Sequence, residues 1–335
     1  MAIDSNSLTL AEYLQYTNDP LIQNAIFSLY GVNSVLGDTS FDTDSTMVRR
    51  GSRFRNADLP TVNWRKLNEE PPVVSGAPEQ FSESVYIMAN NIDTDIVLLA
   101  DRNNYNDTRS SRFNLWWWST LYDVNDKFIN NNHATGDPDA IVGIRERIDD
   151  PTTWGVESGL KVDGGGVVMT DALTSTSAND FFGLILDTLY EMGNPNGDGC
   201  VMYVNQELEK QMARAIRLMG AASGWETQRD NFDRPVMTYR NMRVSVIGRK
   251  KDGTTQIITN TETASGADGA STFTSFYIVR YGETYAKSWQ MRPLSITDLG
   301  ILNNGMINRI AIGWEFGYTF EDTRSMARGF NIKTT

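Results

Sequence analysis

The sequence predicts an α+β protein organised around one long, two-limbed arm. Three observations carry that class. Residues 47–88 are extended in composition and change sign midway, from basic to acidic. A long helix follows, with Phe113, Trp117, Leu121, Val124 and Phe128 at helical spacing. A helix–strand–helix unit over 177–219 and an alternating strand over 307–320 then supply a mixed core.

The arm begins Met47-Val48-Arg49-Arg50-Gly51-Ser52-Arg53-Phe54-Arg55 and continues through Trp64, Arg65 and Lys66. Beyond Pro71-Pro72 it turns acidic, with Glu79, Glu83, Asp93 and Asp95. Ser84–Met88 alternates as a half-buried strand does. The spacing predicts two antiparallel limbs joined at a loop. A two-stranded arm is marginal alone in water, so this one is expected to lie across something else. The 46 residues before it carry Asp4, Glu12, Asp19, Asp38, Asp42 and Asp44 and no Lys or Arg. Short helices are expected there over 10–16 and 20–30, the second capped by Asp19 with Pro20 at its first position.

Composition bounds the function. The chain has 335 residues, 40% hydrophobic and 21% charged, enough for a globular core. Its net charge of −12 argues against a dedicated nucleic-acid reader. That charge suits a surface that sits near DNA without sticking to it. One cysteine, Cys200, excludes an internal disulfide and a cysteine metal site. The opening Met1–Ser5 has no signal-peptide pattern, and no run reaches the roughly 20 apolar residues of a membrane span. A reducing cytoplasm, or something assembled there, is the expected compartment.

Further elements follow in order. The long helix is expected over 108–131, with the Trp116-Trp117-Trp118 run packed rather than stacking bases, because no basic run interleaves with it. Ser177 or Asn179 is the expected cap of the next helix, Cys200–Val204 a short buried strand, and Asn205–Met219 a second helix. A hairpin is expected between 242–247 and 255–259 across Lys250-Lys251-Asp252-Gly253. Residues 260–272, rich in Thr, Ser, Gly and Ala, predict an exposed, mobile loop that tolerates insertion. Phe273–Val279 reads as a strand, and the strand over 307–320 is expected to bulge near Gly313 and Gly317.

No catalytic constellation emerges. The metalloprotease, phosphate-loop and dinucleotide signatures are absent. Asn194-x-Asn196-x-Asp198-Gly199 echoes a calcium loop, but its twelfth position is Asn205 rather than Glu, so it reads as a turn. His133 is the one histidine, and a hydrolase reading would have to rest on it. No catalytic, cofactor-binding or metal-ligating residue is assigned.

The order of acidic arm, charged loop, long helix, helix–strand–helix unit, hairpin and terminal strand resembles the major capsid proteins of tailed bacteriophages, with their Hong Kong 97-type fold. The most specific local likeness is Leu59-Pro60-Thr61-Val62-Asn63-Trp64-Arg65-Lys66-Leu67-Asn68-Glu69, with the returning limb that ends Ile87–Asp95. The resemblance implies an N-terminal arm (1–46), an extended loop (47–88), a peripheral domain with a long spine helix (89–145), a mostly axial domain (146–282) and return strands (283–335). It implies self-assembly through pentamers and hexamers into an icosahedral head shell around double-stranded DNA. A separate scaffolding protein, a portal and a decoration protein are the other partners it implies, with no membrane and no cofactor. The loop residues Arg49, Arg50, Arg53, Arg55, Trp64, Arg65, Lys66, Glu79 and Glu83 are the expected inter-subunit contacts. Some members crosslink a loop lysine to a neighbour's asparagine. Lys66 is the only lysine of this loop, but neither its partner nor an assisting glutamate is identifiable, so no crosslink is assigned. The same fold also serves encapsulin-type compartments, the alternative reading.

Overall fold

An aromatic seam joins the long helix to the strand that comes nearly two hundred residues later. The computed structural model describes residues 35–53, 59–74, 76, 79–97, 108–220, 225–229, 235–269, 272–303 and 305–334. The helices expected over 10–16 and 20–30 lie outside the described residues, as does Arg55. In chain order the first elements are α1 (Val35–Asp38), β1 (Phe41–Thr43), β2 (Val48–Arg53), β3 (Glu79–Ser84), β4 (Tyr86–Asp95) and α2 (Thr108–Asn130). Then come α3 (Ile144–Asp149), α4 (Pro151–Trp154), β5 (Lys161–Val168), α5 (Ser175–Glu191), β6 (Cys200–Val204) and α6 (Gln206–Met219). The remainder is β7 (Trp225–Arg229), β8 (Pro235–Tyr239), β9 (Met242–Val246), β10 (Phe273–Arg280), β11 (Ala286–Ile301), β12 (Ile307–Phe320) and β13 (Met326–Lys333).

The helical stripe of α2 behaves as its spacing requires. Phe113, Trp117, Leu121, Val124 and Phe128 are all buried. They meet the even-numbered side chains of β12, which point to one face of a four-stranded sheet ordered β1-β11-β12-β4. Trp117 lies 6.0 Å from Trp314, and Phe128 4.6 Å from Tyr318, centroid to centroid. Phe41 of β1 closes the cluster at 5.6 Å from Trp314. The expected irregularity near Gly313 and Gly317 lies instead in the partner strand. Register shifts between Gln290 and Arg292, Arg292 and Ser295, and Asp298 and Gly300 put the extra residues in β11. Pro293 sits inside one of these shifts, where no ladder hydrogen bond is needed. Gly317 answers a different need. A Cβ there would fall 2.7 Å from the Ser84 carbonyl oxygen and 3.1 Å from the Trp289 ring.

A seven-stranded sheet, ordered β5-β13-β10-β6-β9-β8-β7, forms the second layer. β6 is buried throughout, and α5 packs on β5 and β13. Thr174 caps α5, its hydroxyl accepting from the Ser177 amide at 3.2 Å. Neither Ser177 nor Asn179 is the cap, because the extended backbone needed for capping occurs at Thr174. Asn205 caps α6 by accepting from the Leu208 amide at 2.7 Å rather than forming its first helical residue.

Two expectations fail here for identifiable reasons. β9 forms its hairpin with β8, across Arg240-Asn241, and also runs parallel to β6. The Lys250–Gly253 turn closes only an isolated bridge between Arg249 and Gln256, since Ile257 and Ile258 turn into the core. The stretch over 260–272 is not a free loop. Glu262 is buried in it and pairs with Arg328 of β13 at 3.1 Å. Arg328, itself buried, also donates to the Gly266 carbonyl at 2.6 Å and to Ser275 at 3.1 Å. Two buried charges hold this segment against the sheet, although most of its other side chains face solvent. The Gly266 carbonyl is the pinned point, accepting from both Arg328 and Arg145.

The seam gives the first test. Trp117→Ala is expected to cost about 3–5 kcal/mol, read as a loss of unfolding free energy in urea denaturation of the unassembled subunit. An unchanged midpoint would mean that the ring does not carry the seam.

Candidate assembly surface

The arm is a six-residue antiparallel ribbon at its base and an irregular loop beyond it. β2 and β3 pair from Val48 opposite Ser84 to Arg53 opposite Glu79, with Arg49 opposite Glu83. Alternation along β2 turns Arg49 and Arg53 inward and leaves Arg50 exposed. The predicted contact residues therefore divide into two groups.

The first group serves the chain's own body. Glu83 is 5% exposed and grips Arg147 of α3, 2% exposed, through two parallel hydrogen bonds of 2.6 and 2.8 Å. The Arg147 guanidinium lies over the rings of Trp154 and Phe320, at 4.9 and 4.7 Å from their centroids. Arg53 is also buried. It donates to the Trp154 carbonyl at 2.5 Å and sits 5.1 Å from the centroid of the Phe81 ring. Gly155, with φ +60°, leaves room for that guanidinium. Arg49, half-buried, pairs with Glu321 at 3.0 Å and Asp42 at 3.6 Å. Glu79 is half-buried opposite Arg53. Arg53 and Glu83 are thus both buried in this chain, each held by partners of its own body. The acidic partners of the basic limb are near at hand because the ribbon must be fixed to the body before its tip can be aimed.

The second group stands free of the body. Trp64 is 97% exposed, Leu67 89% and Val62 80%, with Leu59 and Val73 also exposed. Arg65 and Lys66 are exposed on the same tip, and Arg50 is exposed at the base of the ribbon. The tip is nevertheless shaped. Arg65 donates to the Glu69 carbonyl at 2.9 Å, and the Lys66 amide donates to the Glu69 carboxylate at 3.0 Å. Asn68 takes the left-handed turn with φ 66°. The tip thus presents three large apolar side chains, Val62, Trp64 and Leu67, that are left to solvent. Arg147 and Glu321, which tie the acidic and the basic limb to the body, were not legible in the sequence. They lie 64 and 272 positions from Glu83 and Arg49, and no local pattern links them.

Reactive side chains are tied up in structure. His133 is placed by a 2.8 Å contact between its Nε2 and the Ala140 carbonyl, edge-on to Tyr86 and Trp154. Asn194 closes its turn by donating to the Asp198 carbonyl at 2.9 Å and to the Cys200 sulfur at 3.2 Å. Burial pushes the Cys200 thiol up to about 11. Among the described residues no group of three or more His, Cys, Asp or Glu side chains is placed to hold a metal ion. No helix among them is long and apolar enough to cross a membrane.

No family model matches the sequence, and no curated protein matches it. Solved structures do share its fold. The SrpI encapsulin of Synechococcus elongatus superposes with a TM-score of 0.58 at 10% identity, covering 99% of this chain and 92% of its own. The capsid of a native GTA particle gives 0.56 at 11% identity, covering 90% of each chain. The Microbacterium phage Oxtober96 structure gives 0.52 at 10%, again covering 90% of each. The α+β architecture is that of the shell-forming capsid proteins. It is the Hong Kong 97-type fold.

Two substitutions test the division of the arm. Glu83→Ala strands the Arg147 charge in the interior and is expected to cost about 3–5 kcal/mol, with much of it recovered when Arg147→Met is added. Arg53→Glu should likewise destabilise the unassembled subunit, by about 3 kcal/mol, while Arg50→Glu stays within about 0.5 kcal/mol. Equal effects on urea midpoints from Arg53→Glu and Arg50→Glu would contradict the inward and outward assignment.

Proposed function

We propose that this protein is a major capsid protein that self-assembles into the icosahedral head shell of a tailed phage, enclosing double-stranded DNA. One observation carries the reading: a capsid-type fold over nine-tenths of the chain carries a loop whose apolar tip finds no cover among the described residues. Burying one large apolar side chain yields roughly 1.5–3 kcal/mol. Trp64, Leu67 and Val62 therefore favour contact with a neighbour, and Arg50, Arg65 and Lys66 set its register. In this reading residues 47–88 are the extended loop. The four-stranded sheet with α2 is the peripheral domain, and the seven-stranded sheet with α5 and α6 is mainly the axial domain. Subunits meet in pentamers and hexamers, with a scaffolding protein, portal and decoration protein as separate partners. The net charge of −12 keeps the inner surface from gripping packaged DNA. The chain acts mechanically, and no residue is assigned to catalysis.

The encapsulin-type compartment remains a second reading, favoured by the 99% coverage of this chain by the SrpI match. Content separates the two: packaged DNA for a phage head, protein cargo for a compartment. The test of both is the particle. Sedimentation and electron microscopy of the purified protein, alone and with a co-expressed scaffold, should show closed shells. A monomer under every salt and concentration tried would overturn the shell reading.

A further inference from the structure

We propose that Asp38 and Thr39 form a clasp that fixes the angle between the two sheets and, through it, the curvature of the particle. The curvature half of this inference rests on the shell reading, while the clasp stands on the subunit alone. Asp38 ends α1, and its side chain is 5% exposed. Its carboxylate accepts from the Tyr203 hydroxyl of β6 at 3.0 Å and pairs with Arg243 of β9. β6 and β9 are adjacent strands of the seven-stranded sheet. The Tyr203 hydroxyl also meets that of Tyr281 at 2.7 Å, where the chain leaves β10 for β11 of the other sheet. One residue beyond Asp38, the buried Thr39 hydroxyl meets that of Ser288 in β11 at 2.7 Å. Phe41 of β1 then pairs with the same Ser288 in the four-stranded sheet. Consecutive residues thus hold different sheets, and about 3.8 Å of chain between their Cα atoms separates the two grips.

The clasp adds something that apolar packing between the layers does not. Phe128 of α2 lies 4.6 Å from Tyr318 of the four-stranded sheet and 6.2 Å from Tyr203 of the seven-stranded one, centroid to centroid. Contact of that kind is non-directional and sets a separation rather than an angle. A carboxylate shared by a phenol and a guanidinium is directional. Leaving either partner would strand the Asp38 charge where water hardly reaches. α1 is held from behind as well, since the Val35 amide donates to the buried Asn125 side chain of α2 at 3.1 Å. A change of angle therefore cannot be absorbed by sliding α1 along the joint. The same subunit shape repeats around a closed particle, so a small change of this angle becomes a change of diameter.

Ile87 on β4 and Tyr190 on α5 are 60% and 58% exposed, one on each layer, and Cys200 is buried. Spin labels on Ile87→Cys and Tyr190→Cys of the unassembled subunit report the spread of distances between the layers. Asp38→Ala and Thr39→Val should each broaden that distribution, and their particles should scatter in diameter in electron micrographs. Gly37→Ala, at an exposed position of the same helix where a Cβ meets nothing within 4 Å, should change neither. Tyr203→Phe deletes one hydroxyl and keeps the ring, and it should broaden the distribution by less. It keeps the test open if Asp38→Ala does not fold. Distributions as narrow as that of the wild type in the Thr39 and Tyr203 variants would overturn the clasp. A broadened distribution with wild-type diameters would overturn its link to curvature. A wild type that forms no particles would sink the shell reading, and the labels would still decide for or against the clasp.

Discussion

The seam between α2 and β12 is the constraint on which the rest of the molecule hangs. One helix face, Phe113 to Phe128, meets one strand face, Trp314 to Phe320, and every one of these side chains is buried. Interiors pack at the density of organic crystals, so a seam of large rings tolerates little displacement. It fixes the long hairpin β11–β12, which fixes β4 along one edge and β1 along the other. The partners are nearly two hundred residues apart, so the seam forms only when the chain has closed a long loop. Topology of that kind folds slowly.

Two buried arginines do a different job. Arg147 ties the base of the loop ribbon to α3, and Arg328 ties the 260–269 segment to β13. Buried ion pairs add little net stability compared with apolar packing, because both charges must first lose their water. Their geometry, however, permits one arrangement only. At both places a buried ion pair ties a surface segment to the body: the base of the ribbon through Glu83, and the 260–269 segment through Glu262. Reach and rigidity are thus separated in the loop: the base is locked by charge, and the tip is left free of its own subunit.

The sequence was most legible where period and local geometry decide the outcome. The α2 stripe, the buried strand Cys200–Val204, the helices of the seven-stranded layer and the strand over 307–320 all follow from spacing. Legibility was lost where a distant partner overrides local character. β13 carries Arg328 and Asn331 and shows no alternation, yet it is buried along nearly its whole length, with Arg328 paired to Glu262 and the Asn331 amide nitrogen donating to Asp163. β11 was hidden by Pro293 and Gly300, both at its register shifts. Glu262 sits in a run of small polar residues that reads as solvent-facing, and only Arg328, 66 positions away, reverses that reading. The loop residues followed the same rule. Their charge pattern was visible, but which of them face inward depended on α3 and on Glu321, neither of which the limb's own sequence announces.

The position of β13 has a consequence for the birth of the subunit. It lies between β5 and β10, and until residues 326–333 have been made those two strands have no common neighbour. Arg328 arrives with it, so the 260–269 segment lacks that anchor until then, although Arg145 already reaches its Gly266 carbonyl at 2.7 Å and Asp268 at 2.9 Å. Until that strand is made the sheet stays open, while β6 and β9 already stand beside each other. The order in which the strands are made is therefore not the order in which they lie: the strand that closes the sheet comes after both of the strands it joins.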